Sequence, residues 1–249
     1  MNTTIILAAG NSERTNKINK IFYQISRKPL IYYTIQVFEK HPEIQRIILV
    51  IKEKDLSKFN SFSKKYGFKK IKGIAFGGEK RQISAFNGLK MAGNLGAKRG
   101  DLILFHNGVN PLVSQDEISE VIKQAKKCGA ALVAQPLKDS LKRGIKDGLV
   151  EKNIPREDLW LAQTPQVIEY GLAKEAFEKA QRDKFYGTDD VSLVERIGKE
   201  IKIVPCSYKN FKITFEEDLE IAKKLLEDSN LPQSSQSGTD KVGEVIRNE

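Results

Sequence analysis

Short apolar runs of strand length alternate along this chain with stretches of helical periodicity, and no other feature restricts its fold as much. Residues 5–7, 47–51, 102–105, 131–134 and 201–204 are apolar and bounded by turn residues. Between them, 30–39, 81–91, 115–127 and 172–181 repeat apolar side chains at three- and four-residue intervals. Strands alternating with helices build βαβ units, and so an α/β fold with a mostly parallel sheet flanked by helices. In such sheets ligands sit outside the carboxyl ends of the strands. The loops after Leu7, Ala75 and Phe105 are therefore expected on one rim, where residues distant in sequence can converge.

The first of those loops has the layout of a phosphate site. Ile5, Ile6 and Leu7 read as a buried strand running into Ala8, Ala9 and Gly10, which are too small to keep a ligand from the backbone amides that follow. Such amides attract anionic oxygen, and Arg14 and Lys20 add full positive charge. The spacing matches neither the Walker loop nor the three-glycine dinucleotide fingerprint. A second glycine-rich segment, 77–84 (GGEKRQIS), enters the helix ending near Met91 and offers Arg81 and Ser84 as donors. A third places Lys212 in an alternating segment just before what resembles a helix N-terminus at 215–219.

A chain of 249 residues can bury a sizeable core, and 1–227 reads as one domain. Its net charge of +10 suits an anionic ligand. The lysines are scattered, and only 64–70 interleaves them with aromatics, so a solvated surface is expected rather than a nucleic-acid interface. There is no membrane-length apolar run and no secretory leader, which predicts a cytoplasmic protein. Cys128 and Cys206 lack metal-site spacing and read as buried free thiols. His41 and His106 are too few and too isolated for a histidine metal cluster. Residues 138–158 are polar and punctuated by Gly and Pro, with short alternating pieces, and read as a hairpin or arm leaving the core. A flexible surface loop fits the same composition. The tail 228–249 is rich in Ser, Gln, Gly and Asn and reads as disordered.

Eight segments in fixed order, IILAAGNSER, NKIF, GGEKRQIS, HNGVNPLV, LKDSLKR, LWLAQTPQ, TDDVSLVE and NFKITFEEDL, closely resemble the IspD family of cytidylyltransferases over roughly residues 5–226. The resemblance implies a Rossmann-like sheet of the nucleotide-diphospho-sugar transferase type, with a protruding β-arm at 138–158 that pairs two copies into a homodimer. It implies transfer of CMP from CTP to a polyol phosphate, with magnesium bridging the phosphates. Ala8, Ala9, Gly10, Gly78 and Ser84 match positions around the cytidine, and Arg81 lies in the second nucleotide loop. Arg14 and Lys20 match the cations that hold the triphosphate, and Lys212 a lysine near the reacting phosphate. Ser140 and Arg156 match arm residues that reach the neighbouring subunit's acceptor site, joined by Thr164.

The residue types suit that chemistry independently. A phosphate monoester has a second pKa near ~6 and is already an ionised nucleophile at neutral pH, so no general base is required. Positioning and charge neutralisation then carry the reaction, and the lack of a Ser-His-Asp or Cys-His set is expected.

One segment departs from the family. Its usual His-Asp-Ala-Ala-Arg-Pro reads His106-Asn107-Gly108-Val109-Asn110-Pro111 here, so both charges are gone from the acceptor rim. Asn107 cannot neutralise a cation, and Asn110 cannot give a bidentate grip on phosphate. Asn19 and Ile21 stand where the family carries Pro and Gln. The expected acceptor is 2-C-methyl-D-erythritol 4-phosphate, because the arm segment 139–143 is closer to that branch; ribitol 5-phosphate is the alternative. The lost charges also raise the possibility of an inactive, nucleotide-binding regulator, against which Arg14, Lys20 and Lys212 count.

Overall fold

The computed structural model describes residues 1–10 and 19–228. In chain order they form β1 (Asn2–Leu7), β2 (Gln24–Ile25), β3 (Lys28–Pro29), α1 (Leu30–Lys40), β4 (Arg46–Ile51), α2 (Leu56–Tyr66), β5 (Ile71–Phe76), α3 (Arg81–Asn94) and β6 (Leu102–Asn107). There follow α4 (Gln115–Cys128), β7 (Ala130–Pro136), β8 (Leu141–Gly144), β9 (Val150–Ile154), β10 (Trp160–Glu169), α5 (Tyr170–Arg182), α6 (Ser192–Arg196), β11 (Lys202–Pro205) and α7 (Glu216–Asp228).

Seven strands form one sheet in the order β11-β7-β10-β6-β1-β4-β5. β1 pairs in parallel with both β4 and β6, whereas β10 runs antiparallel to β6 and β7. Side chains alternate faces along each strand, and both faces are covered, which is why the central strands are apolar almost throughout. Ile6, Leu49 and Leu104 pack on one face with α1, α2, α4 and α7. Ile5, Val50 and Phe105 pack on the other with α3, α5 and α6. Each such side chain, withdrawn fully from water, contributes about 1.5–3 kcal/mol. On the second face, Gly88 lets α3 lie close to the sheet: a Cβ there would come within 2.5 Å of Ile5 Cγ2.

The five apolar runs are all strands, each shifted or extended by a few residues. β10 and α2 are two elements that the sequence pattern does not announce. β10 begins exposed at Trp160 and becomes buried from Thr164 to Ile168, so it lacks a uniform pattern. The segment 138–158 is a hairpin: β8 pairs antiparallel with β9, and 141–153 are exposed throughout. Asp228 is the last residue of α7, and the remainder of the 228–249 tail lies outside the described residues. The thiol expectation is corrected: Cys128 is exposed at the end of α4, and Cys206 is half-buried. Burial, with the nearby Glu117 carboxylate, pushes the Cys206 thiol up to about 12, so it is an inert neutral group. No described helix is long and apolar enough to cross a membrane.

Candidate nucleotide site

The chain leaves β1, builds β4 and β5 on one side of it, then returns to place β6 on the other. This reversal opens a crevice outside the carboxyl ends of β1 and its neighbours, as expected at a switch point. A cleft of about 490 Å³ lies there, lined by Ala9, Gly10, Lys20, Gly78, Arg81, Ser84, Asn107 and Lys212 among others. Eight of the residues singled out from sequence therefore meet, from four separate segments.

Two small-residue loops form its floor. A Cβ on Gly77 would fall 2.3 Å from Ala9 Cβ, so the loops after β1 and β5 touch only because position 77 has no side chain. Ser84 closes the second loop: Gly78 N–H donates to its Oγ at 3.0 Å, and that hydroxyl donates to the Lys80 carbonyl at 3.2 Å. Its first role in this structure is thus to shape the loop. Ala8 does not line the cleft; it is buried in the core, and its N–H donates to Val50 O at 2.7 Å.

Cations dominate the walls. Lys20 is nearly buried, with Nζ donating to Thr214 O at 3.1 Å. Lys212 lies just before Ile213, whose N–H ties this irregular segment to the rim by donating to Val109 O at 3.0 Å. Lys80 and Lys52 also line the cleft, and Glu79 is the one acidic residue beside them among the described residues. Arg14 lies within 11–18, outside the described residues.

Arg81 is held by a residue to which the sequence reading gave no role. Its guanidinium donates to both oxygens of Asp190, at 2.9 and 2.6 Å, and approaches Asn107 Oδ1 at 3.5 Å. Burial, the largest single influence, works against the charge, but the charge and hydrogen bonds of Asp190 with the charge of Asp189 together outweigh it, and the Arg81 pKa stands above the usual arginine value. Asp190 is fixed in turn by Gln166, whose Oε1 accepts from the N–H groups of Asp190 and Val191. Gln82 joins the same segment, accepting from Gly187 N–H and donating to Phe185 O. An Asp in the quoted TDDVSLVE segment, following an arginine in a glycine-rich loop, was the available signal.

The rim around Asn107 is a neutral network. Asn107 Nδ2 donates to Asn110 Oδ1 at 3.2 Å and to Thr164 Oγ1 at 3.4 Å. Asn110 and Thr164 are buried behind Asn107 and do not line the cleft. His106 is wholly buried, donates from Nε2 to Asn110 O at 2.9 Å, and leaves Nδ1 without a partner. Burial pushes its pKa down to about 4, so it is a neutral part of the scaffold. Ser140 and Arg156 are exposed on or beside the hairpin, and Arg156 donates to Lys138 O. Within one chain they are not brought to the cleft.

Fold and cleft together define an α/β protein shaped for a polyphosphate ligand. Comparison with known proteins specifies the group. A family model described as IspD, 2-C-methyl-D-erythritol 4-phosphate cytidylyltransferase, matches residues 3–228. The chain is 44% identical over 229 residues to the 2-C-methyl-D-erythritol 4-phosphate cytidylyltransferase of Clostridioides difficile strain 630, covering 91% of this chain and 94% of that one. The Bacillus licheniformis enzyme of the same name is 40% identical over 224 residues, covering 90% and 94%. The solved 4-diphosphocytidyl-2C-methyl-D-erythritol synthase of Anaerococcus prevotii superposes with a TM-score of 0.77 at 29% identity, covering 91% and 96%. This chain belongs to the IspD family of cytidylyltransferases.

Proposed function

We propose that the protein transfers CMP from CTP to 2-C-methyl-D-erythritol 4-phosphate, releasing pyrophosphate and forming the CDP-alcohol of the non-mevalonate isoprenoid route. The observation that carries this reading is the convergence of Lys20, Lys52, Lys80, Arg81 and Lys212 on one cleft floored by small residues. An acceptor phosphate oxygen attacks the α-phosphorus in line, and the bond from that phosphorus to the bridging oxygen of pyrophosphate breaks. Lys20, Lys212 and Arg14 are assigned to the charge that accumulates on the phosphates, and Gly10, Gly78 and Ser84 to the nucleoside.

Among the described residues no group of three or more His, Cys, Asp or Glu side chains could hold a metal. The cleft does offer oxygen from the Asn107 amide and the Glu79 carboxylate. That donor set fits a magnesium ion held mainly by the nucleotide's own phosphates, with one of these groups at its edge. Bound there, magnesium neutralises phosphate charge.

On the acceptor side, Asn107 faces the cleft with Asn110 and Thr164 behind it. We assign Ser140 and Arg156 to the acceptor site of a second copy, reached by the hairpin in a homodimer. Exposed Leu141, Ile145, Leu149 and Val150 support a hairpin that packs on another surface. We take the enzyme to work in the cytoplasm.

The deciding experiment is pyrophosphate release from CTP with a panel of polyol phosphates. Release with 2-C-methyl-D-erythritol 4-phosphate is expected. Release with ribitol 5-phosphate alone would change the acceptor, and CTP binding without release from any acceptor would make the protein a regulator.

A further inference from the structure

Lys52, just beyond the end of β4, belongs to no motif in the sequence, yet it lines the cleft and is half-buried. The other cations lining the cleft have protein partners. Arg81 is paired with Asp190, Lys20 donates to Thr214 O, and Lys80 lies 3.2 Å from the centroid of the Tyr186 ring. Lys212 too is engaged within the protein. The Lys52 side chain makes no hydrogen bond or ion pair among the described residues. A lysine stem half-withdrawn from water, with its ammonium uncommitted beside a cleft, is placed to donate to a ligand.

Sheet order shows which part of the ligand it meets. Lys20 and Lys212 belong to the β6 side, through Thr214 and the tie from Ile213 to Val109. Lys52 belongs to the β4–β5 side, because Gly77 N–H donates to Ile51 O at 2.9 Å and Gly77 packs on Ala9. β4 and β6 flank β1 on opposite sides, their backbones about 10 Å apart at about 4.8 Å per strand, so these cations approach the cleft from opposite sides of β1. A nucleoside triphosphate is long enough to reach both sides. With its phosphates among Lys20 and Lys212, its nucleoside lies toward Gly78, Ser84 and Lys52. We infer that Lys52 is a donor-nucleotide contact, giving a hydrogen bond to an acceptor oxygen on the cytidine half of CTP. The inference rests on the function proposed above and adds a residue to its donor site.

Equilibrium binding tests it without turnover, by titrating CTP and CMP into the wild-type protein and the Lys52→Ala variant. The expected result is a loss of about tenfold or more for both ligands alike, as for a hydrogen bond from a charged donor. In the transfer assay KM for CTP should rise while KM for the acceptor phosphate stays unchanged. Unaltered binding of both ligands overturns the inference, as does a loss confined to CTP, which would move the contact to the outer phosphates. A wild-type protein that fails to bind CTP overturns the proposed function as well. One that binds CTP equally well with and without Lys52 overturns only this contact. Since Lys52 lies on the surface of the cleft, circular dichroism of the variant should match the wild type.

Discussion

Arg81 and Asp190 are 109 residues apart and form a two-pronged ion pair, the carboxylate almost fully buried and the guanidinium one-third exposed to the cleft. The pair fastens the start of α3 to the segment before α6, and through Asn107 Oδ1 it reaches the rim proposed above to receive the acceptor. Asp190→Asn should therefore do more than loosen the fold. It leaves a guanidinium without its counter-charge, a loss of about 2 kcal/mol after allowing for partial exposure. Urea midpoints measure that loss. KM for the acceptor should rise as well, and Asp190→Glu should recover part of it. An unchanged KM would make the pair purely structural.

Lys20→Ala should reduce kcat by about 10²–10³-fold, the scale for removing one preorganised donor from a charge-stabilising site. The fold should stay intact, and circular dichroism of the variant should match the wild type. A near-normal rate would remove Lys20 from the mechanism.

The rim pair Asn107 and Asn110 can be tested against the charged pair usual in the family. Asn110 is wholly buried, so Asn110→Arg alone inserts a larger, charged group and should destabilise by about 1–3 kcal/mol. Asn107→Asp in the same protein supplies a partner 3.2 Å away by the present geometry, and the double variant should be more stable than Asn110→Arg alone. It should also raise activity on 2-C-methyl-D-erythritol 4-phosphate. Additive losses without a gain in rate would mean that the neutral rim is no defect.

Acid should find His106. Its folded pKa of about 4 lies below the unfolded value near 6.5, so the unfolded chain takes up the proton first. Stability is thus full above pH about 6.5 and is lost as pH falls toward 4, by about 3 kcal/mol at most. His41, lowered in the same direction chiefly by burial, adds to this loss. Comparing urea midpoints at pH 7 and pH 4.5, the drop should be smaller in His106→Gln. An equal drop would place the acid sensitivity elsewhere.

Leu149 and Val150 are each 63% exposed on the hairpin. Replacing both with Asp should convert a dimer to a monomer in sedimentation while CTP binding persists, and turnover should fall with loss of Arg156 from the second copy's site. A monomeric wild-type protein would refute the assembly.

Much of this was legible because the relevant signals are local. Apolar runs and small-residue loops announce buried strands and the turns that follow them, and Ala9, Gly10, Gly78, Lys20 and Lys212 met as expected. Relations made only by tertiary packing were less visible. Asp190 is one charge among many until the fold sets it against Arg81. Lys52 looks like another surface lysine until β4 is placed beside β1. Ala8 had the right size for the cleft but lies beneath it. β10 escaped because its two halves have different environments, exposed beside the hairpin and buried between β6 and β7.

That strand has a consequence for how the protein can vary. β10 pairs with β7 from Trp160, near the hairpin, and its register shifts between Ala162 and Gln166, where Thr164 stands. From Gln166 onward it pairs with β6 as well. Adding or deleting a residue between Trp160 and Thr164 would turn the following side chains to the opposite face, pulling Thr164 off Asn107 and Gln166 off Asp190. The few residues joining the hairpin to the rim thus act as a ruler whose length is fixed from both ends.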